Sequence, residues 1–216
     1  MSDPLAFVRA NSVLASPPLV PEIRLHLASE VVPLWYKTEA ELGREGVPPP
    51  YWAFAWAGGQ ALARYVLDHA AALNIQGASV LDFGSGSGLV AIAAAKAGAA
   101  SGLAADSDPF SAAAIRQNAS DNAVPIAVTT DDVIGREDAW DLILVGDMCY
   151  ERPLAERLTE WLRGRVRAGA TVLVGDPGRS YFPKTGVEKL ATYNVPTSRD
   201  LEDRDMRETG VFRLTA

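Results

Sequence analysis

From Tyr51 onward the chain alternates short apolar runs with longer stretches in which apolar residues recur every three or four positions. "ASVLDFG", "ASGLAAD", "PIAVTT", "AWDLILVGD" and "ATVLVGD" read as short buried strands, each bounded by small or acidic residues. Between them "GLVAIAAAKAG", "DPFSAAAIRQNASDN" and "PLAERLTEWLRGRV" read as helices, and "AGGQALARYVLDHA" is an amphipathic helix leading in. Strands alternating with helices predict an α/β protein whose mostly parallel sheet is covered on both faces. Only about ten residues join "PIAVTT" to "AWDLILVGD", too few for a full crossover helix, so a reduced connection is expected there. Near the carboxyl terminus "KLATYNVP" and "ETGVFRLTA" flank the charged stretch "TSRDLEDRDMR" and are expected to pair as a closing antiparallel hairpin.

Residues 1–50 follow another pattern. Asp3 ahead of Pro4 predicts a capped, short amino-terminal helix. "EIRLHLA" sets Ile23, Leu25 and Leu27 on one side of a half-buried strand, and the triple proline at 48–50 ends the segment. Residues 1–50 are therefore expected to be a cover and not an independent domain, with 51–216 forming the main domain.

With 216 residues, 48% of them apolar and 22% charged, the chain has the profile of one globular domain with a sizeable core. A net charge of −7 argues against nucleic acid and for a basic partner such as a lysine-bearing protein segment. The lone Cys149 excludes an internal disulfide and fits a reducing, cytoplasmic compartment, while His26 and His69 have no zinc-ligand spacing, so no metal is expected. The apolar stretch Leu89 to Ala105 is broken by Lys96 and by glycines, and "MSDPLAFVRA" lacks a secretory or transit pattern, so no membrane association is expected. The protein is expected to act as a monomer.

"VLDFGSGSGLVAIAAA" places Gly84, Gly86 and Gly88 between a strand and a helix, where bare backbone and a helix amino terminus meet a ligand. A dinucleotide fingerprint would require a third glycine at 89, where Leu89 stands. Asp82 would repel a pyrophosphate but can hold an ammonium group, directly or through water. Asp106, with Ser107 beside it, ends the next strand and can accept from both ribose hydroxyls; Asp131 and Asp132 follow the third strand and can receive an adenine amino group. An adenosine ligand with an amino-acid tail and no phosphates is S-adenosylmethionine. The expected contacts are Asp82, Gly84, Ser85, Gly86, Gly88, Asp106, Ser107, Asp131, Asp132 and Asp147.

"LDFGSGSGLVAIAAAKAGA" resembles the first motif of class I, seven-strand methyltransferases. "PPYWAFAWAGGQALARYVLD", "VGDMCYERPLAERLTEWL" and "VGDPGRSYF" are similar to blocks of the lysine methyltransferases that act on the electron transfer flavoprotein β subunit, in order from about residue 19 to the end. The resemblance implies a Rossmann-like seven-stranded fold, protein-lysine N-methylation with S-adenosylhomocysteine as product, and a substrate that is the flavoprotein β subunit or another protein, for example a ribosomal one. Ala57 departs from the family by standing where many relatives have proline.

"DMCYE" is similar to the group's Asp-x-x-Tyr signature, with Glu151 extending it. Only about one free lysine in a few thousand is neutral at pH 7, a penalty of roughly 4 to 5 kcal/mol, so the site must present the amine unprotonated. Asp147 is expected to position the lysine, Tyr150 to wall its channel, and Glu151 to serve the substrate's basic flank. Trp52 and Trp56, four apart on one helical face, are candidates to cover the cofactor, the resemblance favouring Trp56. Asp176 is expected to cap a turn before Arg179, with the substrate mouth as its other possible role, and Cys149 to be an inert small side chain.

Overall fold

In the computed structural model residues 3–28, 43, 48–197 and 205–216 are described. The apolar runs form β3 (Ser79–Phe83), β4 (Ser101–Ala105), β5 (Ala127–Thr129), β6 (Leu142–Gly146) and β7 (Thr171–Asp176), followed by β8 (Val187–Pro196) and β9 (Met206–Leu214). They pair in one sheet in the order β5-β4-β3-β6-β7-β9-β8, parallel from β5 to β7 and antiparallel where β9 joins β7 and β8. The expected seven-stranded sheet with a closing hairpin is thus what the chain builds; the charged stretch between β8 and β9 lies partly outside the described residues.

Four helices accompany the sheet: α2 (Ala57–Asp68), α3 (Leu89–Lys96), α4 (Pro109–Asp121) and α5 (Arg152–Arg167). Alternation along β6 divides the core between them. Leu142 and Leu144 pack with α2 and α3, whereas Ile143 and Val145 pack with Leu158 and Leu162 of α5. The connection from β5 to β6 contains no helix, and Val133 with Trp140 and Trp161 fills that side instead.

Close approach of α2 to the sheet depends on glycine. An added Cβ at Gly58 would run into the Gly175 carbonyl and the Asp147 carboxylate, and one at Gly175 would run into the Gly58 carbonyl. The amino terminus of α2 therefore rests directly on the ends of β6 and β7.

The cover begins with α1 (Pro4–Ala10), capped by Asp3, whose carboxylate accepts from Leu5 N at 3.1 Å. β1 (Val13–Ala15), which the sequence pattern did not indicate, pairs antiparallel with β2 (Leu25–Leu27). Phe7 meets Phe110 edge-on, and the fully buried Asn118 of α4 accepts from His26 N at 2.8 Å while donating to Ser87 O at 2.7 Å. One side chain so joins the cover to the glycine loop. The rest of the expected cover, apart from Gly43, lies outside the described residues up to Pro48.

Candidate active site

Chain connections run in opposite senses from β3 and β6, so a crevice opens above the carboxyl ends of these neighbouring strands. It holds a cavity of about 600 Å³, within the usual range for a small-molecule site. Trp56, Gly84, Gly86 and Asp147 line it. So do Asp106, Ser107, Asp131 and Asp132.

Three expected contacts take other positions. Asp82 lies beneath the loop, buried, where its carboxylate accepts from Ser85 Oγ at 2.6 Å and Ala91 N at 3.0 Å. Burial pushes its carboxyl up to about 7, against the pull of both donors. Asp82 and Ser85 line only a small adjoining recess, so they brace the loop from below instead of facing the main cavity. Gly88 is the cap residue of α3 and packs against Ile115 of α4, away from both spaces.

Asp106 ties the loop to the next strand: one carboxylate oxygen accepts from Gly86 N at 2.8 Å and the other from Asp108 N at 3.0 Å. Asp132 forms an ion pair with Arg157 and accepts from Ile134 N at 3.0 Å. Gly86 has a φ of +54° and no side chain; an added Cβ would come only to about 4 Å from Tyr51 O and Trp52 Cα. Among the described residues the arginines that line the cavity, Arg157 and Arg179, are each already paired with a carboxylate. An acidic set of acceptors with bare loop backbone and committed cations fits a ligand bearing hydroxyls, an amino group and positive charge. S-adenosylmethionine meets that description and a pyrophosphate does not.

Asp147 follows β6 in the left-handed region, with a φ of +60° that aspartate adopts more readily than most residues. Its N–H donates to Gly175 O at 3.0 Å. Carboxylate Oδ2 accepts from Gly59 N at 2.8 Å and so caps α2, whose own cap residue Trp56 offers no side-chain bond. Oδ1 accepts from Arg179 Nη2 at 2.6 Å and Nε at 3.1 Å. Burial raises the Asp147 carboxyl above its ordinary range, against the guanidinium and the helix amides.

Around this carboxylate stand aromatic rings. Trp56 donates from Nε1 to Tyr51 O at 2.9 Å and lies beneath the Arg179 guanidinium, 5.7 Å from its ring centre. Tyr51 and Tyr150 face each other at 5.9 Å, both more than a third exposed at the cavity edge. Burial, then Tyr51 and Glu151, raises the Tyr150 hydroxyl's pKa. Glu151 does not line the cavity; it is exposed at the start of α5, so of the three residues expected at the reacting end it is the one not brought there. Trp52 corrects the expectation of a shared helical face: it sits in a short 3₁₀ turn (Tyr51–Ala53), fully buried against Val8 and Phe110, and only Trp56 reaches the cavity. Cys149 is buried and its thiol is pushed up to about 12, which leaves it inert. Asp176 caps the turn as expected, accepting from Gly178 N and Arg179 N at 2.7 Å each. Tyr51 and the Asp147–Arg179 pair were not anticipated; paired glycines at 58 and 59 facing Gly175 were the available signal for the helix that Asp147 caps.

A family profile described as ribosomal protein L11 methyltransferase matches residues 60–148. The electron transfer flavoprotein beta subunit lysine methyltransferase of Xenopus laevis is 39% identical over 97% of this chain and 86% of its own length. The human protein of that description is 38% identical over 96% of this chain and 80% of its own. Among solved structures, a ribosomal protein L11 methylase from Lactobacillus delbrueckii subsp. bulgaricus overlays with a TM-score of 0.55 at 21% identity, covering 94% of this chain and 99% of its own. A Synechocystis magnesium protoporphyrin IX methyltransferase with bound SAH gives 0.55 at 17% identity over 74% of this chain and 84% of its own. These two likenesses concern the fold. The near-full-length sequence matches, together with the crevice and its acidic lining, place the chain in the electron transfer flavoprotein beta subunit lysine methyltransferase family: it is a class I, S-adenosylmethionine-dependent protein-lysine N-methyltransferase.

Proposed function

We propose that this enzyme methylates lysine side chains of the electron transfer flavoprotein β subunit, and that the lysine enters between Tyr51, Trp56 and Tyr150 to meet Asp147. The observation that carries the reading is that the buried Asp147 carboxylate lines the same cavity as Tyr51, Trp56 and Tyr150, together with Asp106, Asp131 and Asp132, which suit an adenosine. When bound, S-adenosylmethionine supplies a methyl carbon on a positively charged sulfur. Gly84 and Gly86 would hold it close to the backbone, Asp106 would accept from the ribose hydroxyls, and Asp131 with Asp132 would lie at the adenine. Trp56 would cover it. Asp147 would orient the amine through a hydrogen bond and Tyr150 would fix the direction of its stem. The amine that Asp147 and Tyr150 orient would take that methyl carbon on its lone pair, the C–S electron pair would stay on sulfur, and the proton carried by the new ammonium would pass to water.

Incubation with labelled S-adenosylmethionine and purified flavoprotein β subunit tests the substrate. Label on its lysines supports the reading, while label on ribosomal protein L11 alone, run in parallel, would replace the substrate. The L11 arm is included because residues 60–148 match that family's profile. Label confined to small amines would move the enzyme to metabolite N-methylation.

A further inference from the structure

An isolated carboxylate would hold an incoming lysine as the ammonium ion, which has no lone pair with which to react. Asp147 is not isolated. Arg179 donates twice to its Oδ1, at 2.6 and 3.1 Å, from a side chain only 19% exposed. The guanidinium contacts Asp147 and the Trp56 ring 5.7 Å away, while the Asp176 carboxylate accepts from the Arg179 backbone N–H and so fixes the turn that carries it. A carboxylate has about four lone-pair positions; Arg179 occupies two on Oδ1 and Gly59 N one on Oδ2, so an amine that leaves Arg179 in place must be accepted on Oδ2.

The groups around this point come from several elements. The turn after β6 brings Asp147, Cys149, Tyr150 and Glu151; the end of β7 brings Asp176; the 3₁₀ turn brings Tyr51; and the end of β4 brings Asp106. All of them are neutral or anionic. Among the described residues Arg179 is the cation felt by Asp147, Cys149, Tyr150 and Asp176 alike, and Arg157, which lines the cavity from α5, is paired with Asp132. Without it the surrounding carboxylates would raise the pKa of a docked lysine.

We propose that Arg179 is the positioning residue that lets the substrate lysine react as a free amine: it cancels the charge of Asp147 while leaving that carboxylate to orient the nitrogen, and its own charge drives the lysine's proton out to water. This rests on the protein-lysine reading above. The proton leaves before the N–C bond forms, and no acceptor beyond water is needed.

The test is the pH profile of single-turnover methyl transfer to the flavoprotein β subunit, from about pH 6.5 to 10, for the parent, Arg179→Lys, Arg179→Gln and Arg179→Met. A cation about 5 Å from the amine in a partly buried site shifts its titration by about one to two pH units. The neutral variants should therefore lose ten- to a hundredfold in rate at pH 7 and recover much of it at high pH, while Arg179→Lys stays near the parent. Binding of S-adenosylmethionine within a few-fold of the parent shows that each variant is folded. A uniformly lower rate with an unmoved rising limb overturns the proposal and leaves Arg179 a structural brace. A lower KM with an unmoved limb also overturns it, making Arg179 a plug on Asp147. Poly-lysine run as a second acceptor separates the two readings: absence of label on the flavoprotein subunit counts against the substrate, whereas an unmoved limb on either acceptor counts against Arg179.

Discussion

Asp147 and Asp82 are both buried carboxylates, but they face different neighbours and should answer differently to substitution. Asparagine at 147 keeps the left-handed backbone tolerable and can still accept from Gly59 N, so the fold should survive. Loss of the charge that holds Arg179 should lower methyl transfer by about a hundredfold or more, with cofactor affinity changed only a few-fold. Rapid-quench kinetics alongside an equilibrium cofactor titration would show this, and a fully active Asp147→Asn protein would remove the carboxylate from the mechanism. At Asp82 the effect is on stability. Its folded-state carboxyl stands at about 7 against an ordinary 3.8. A raised acid pKa contributes stability that is complete below the unfolded value and is lost as pH rises through the folded one. Asp82→Asn should therefore gain in Tm relative to the parent between about pH 5 and 8, by several degrees, in thermal melts of the cofactor-free proteins. Asp176, pushed up to about 6, follows the same trend in both proteins and cancels in the difference. Equal Tm differences at both ends of that range would show that Asp82 ionises normally.

Helix α2 shows how two adjacent glycines can have opposite meanings. Gly58→Ala drives a methyl group against Gly175 O and the Asp147 carboxylate, so the helix must back away from the sheet. A loss of about 2 to 3 kcal/mol in urea denaturation is expected, together with reduced activity, because the cap that Asp147 forms on α2 is disturbed. At Gly59 the same methyl would find only Val90 Cγ2 at 4.0 Å, and Ala is the better helix former, so Gly59→Ala should be neutral or slightly stabilising in the same measurement. The pattern of apolar runs was enough to read the sheet, the lead-in helix and the terminal hairpin, since each is written in local periodicity. The reduced connection before "AWDLILVGD" was legible from length alone. β1 was not, because three residues, Val13 to Ala15, carry too little alternation to register. Trp52 was misassigned for a related reason: a spacing of four implies a shared face only if the helix is continuous, and here a 3₁₀ turn ends before Trp56. The Asp147–Arg179 pair spans 32 residues and exists only because β6 and β7 lie side by side, which no local pattern reports.

For the molecule as a whole, the charge of −7 predicts how a protein substrate approaches. A basic flank around the target lysine should be drawn in by long-range attraction, so KM for the protein should rise a few-fold as salt goes from about 50 to 300 mM while KM for S-adenosylmethionine changes little. Steady-state kinetics across that range would settle it, and an unchanged protein KM would show that recognition is made by short-range contacts at the tyrosine edge. Asn118 sets another whole-molecule dependence. Replacing it with alanine would strand the part-buried His26 N and the carbonyl of buried Ser87 together, so loosening of the cover should be accompanied by weaker cofactor binding. The burial of Cys149 carries a practical consequence. Since it is the chain's single cysteine and its thiol is kept protonated inside the fold, a cysteine introduced at exposed Glu151 would be the one reactive sulfur on the molecule. A dye attached there would stand next to Tyr150, at the proposed entrance for the substrate, and a change in its brightness on adding the protein substrate would report docking there.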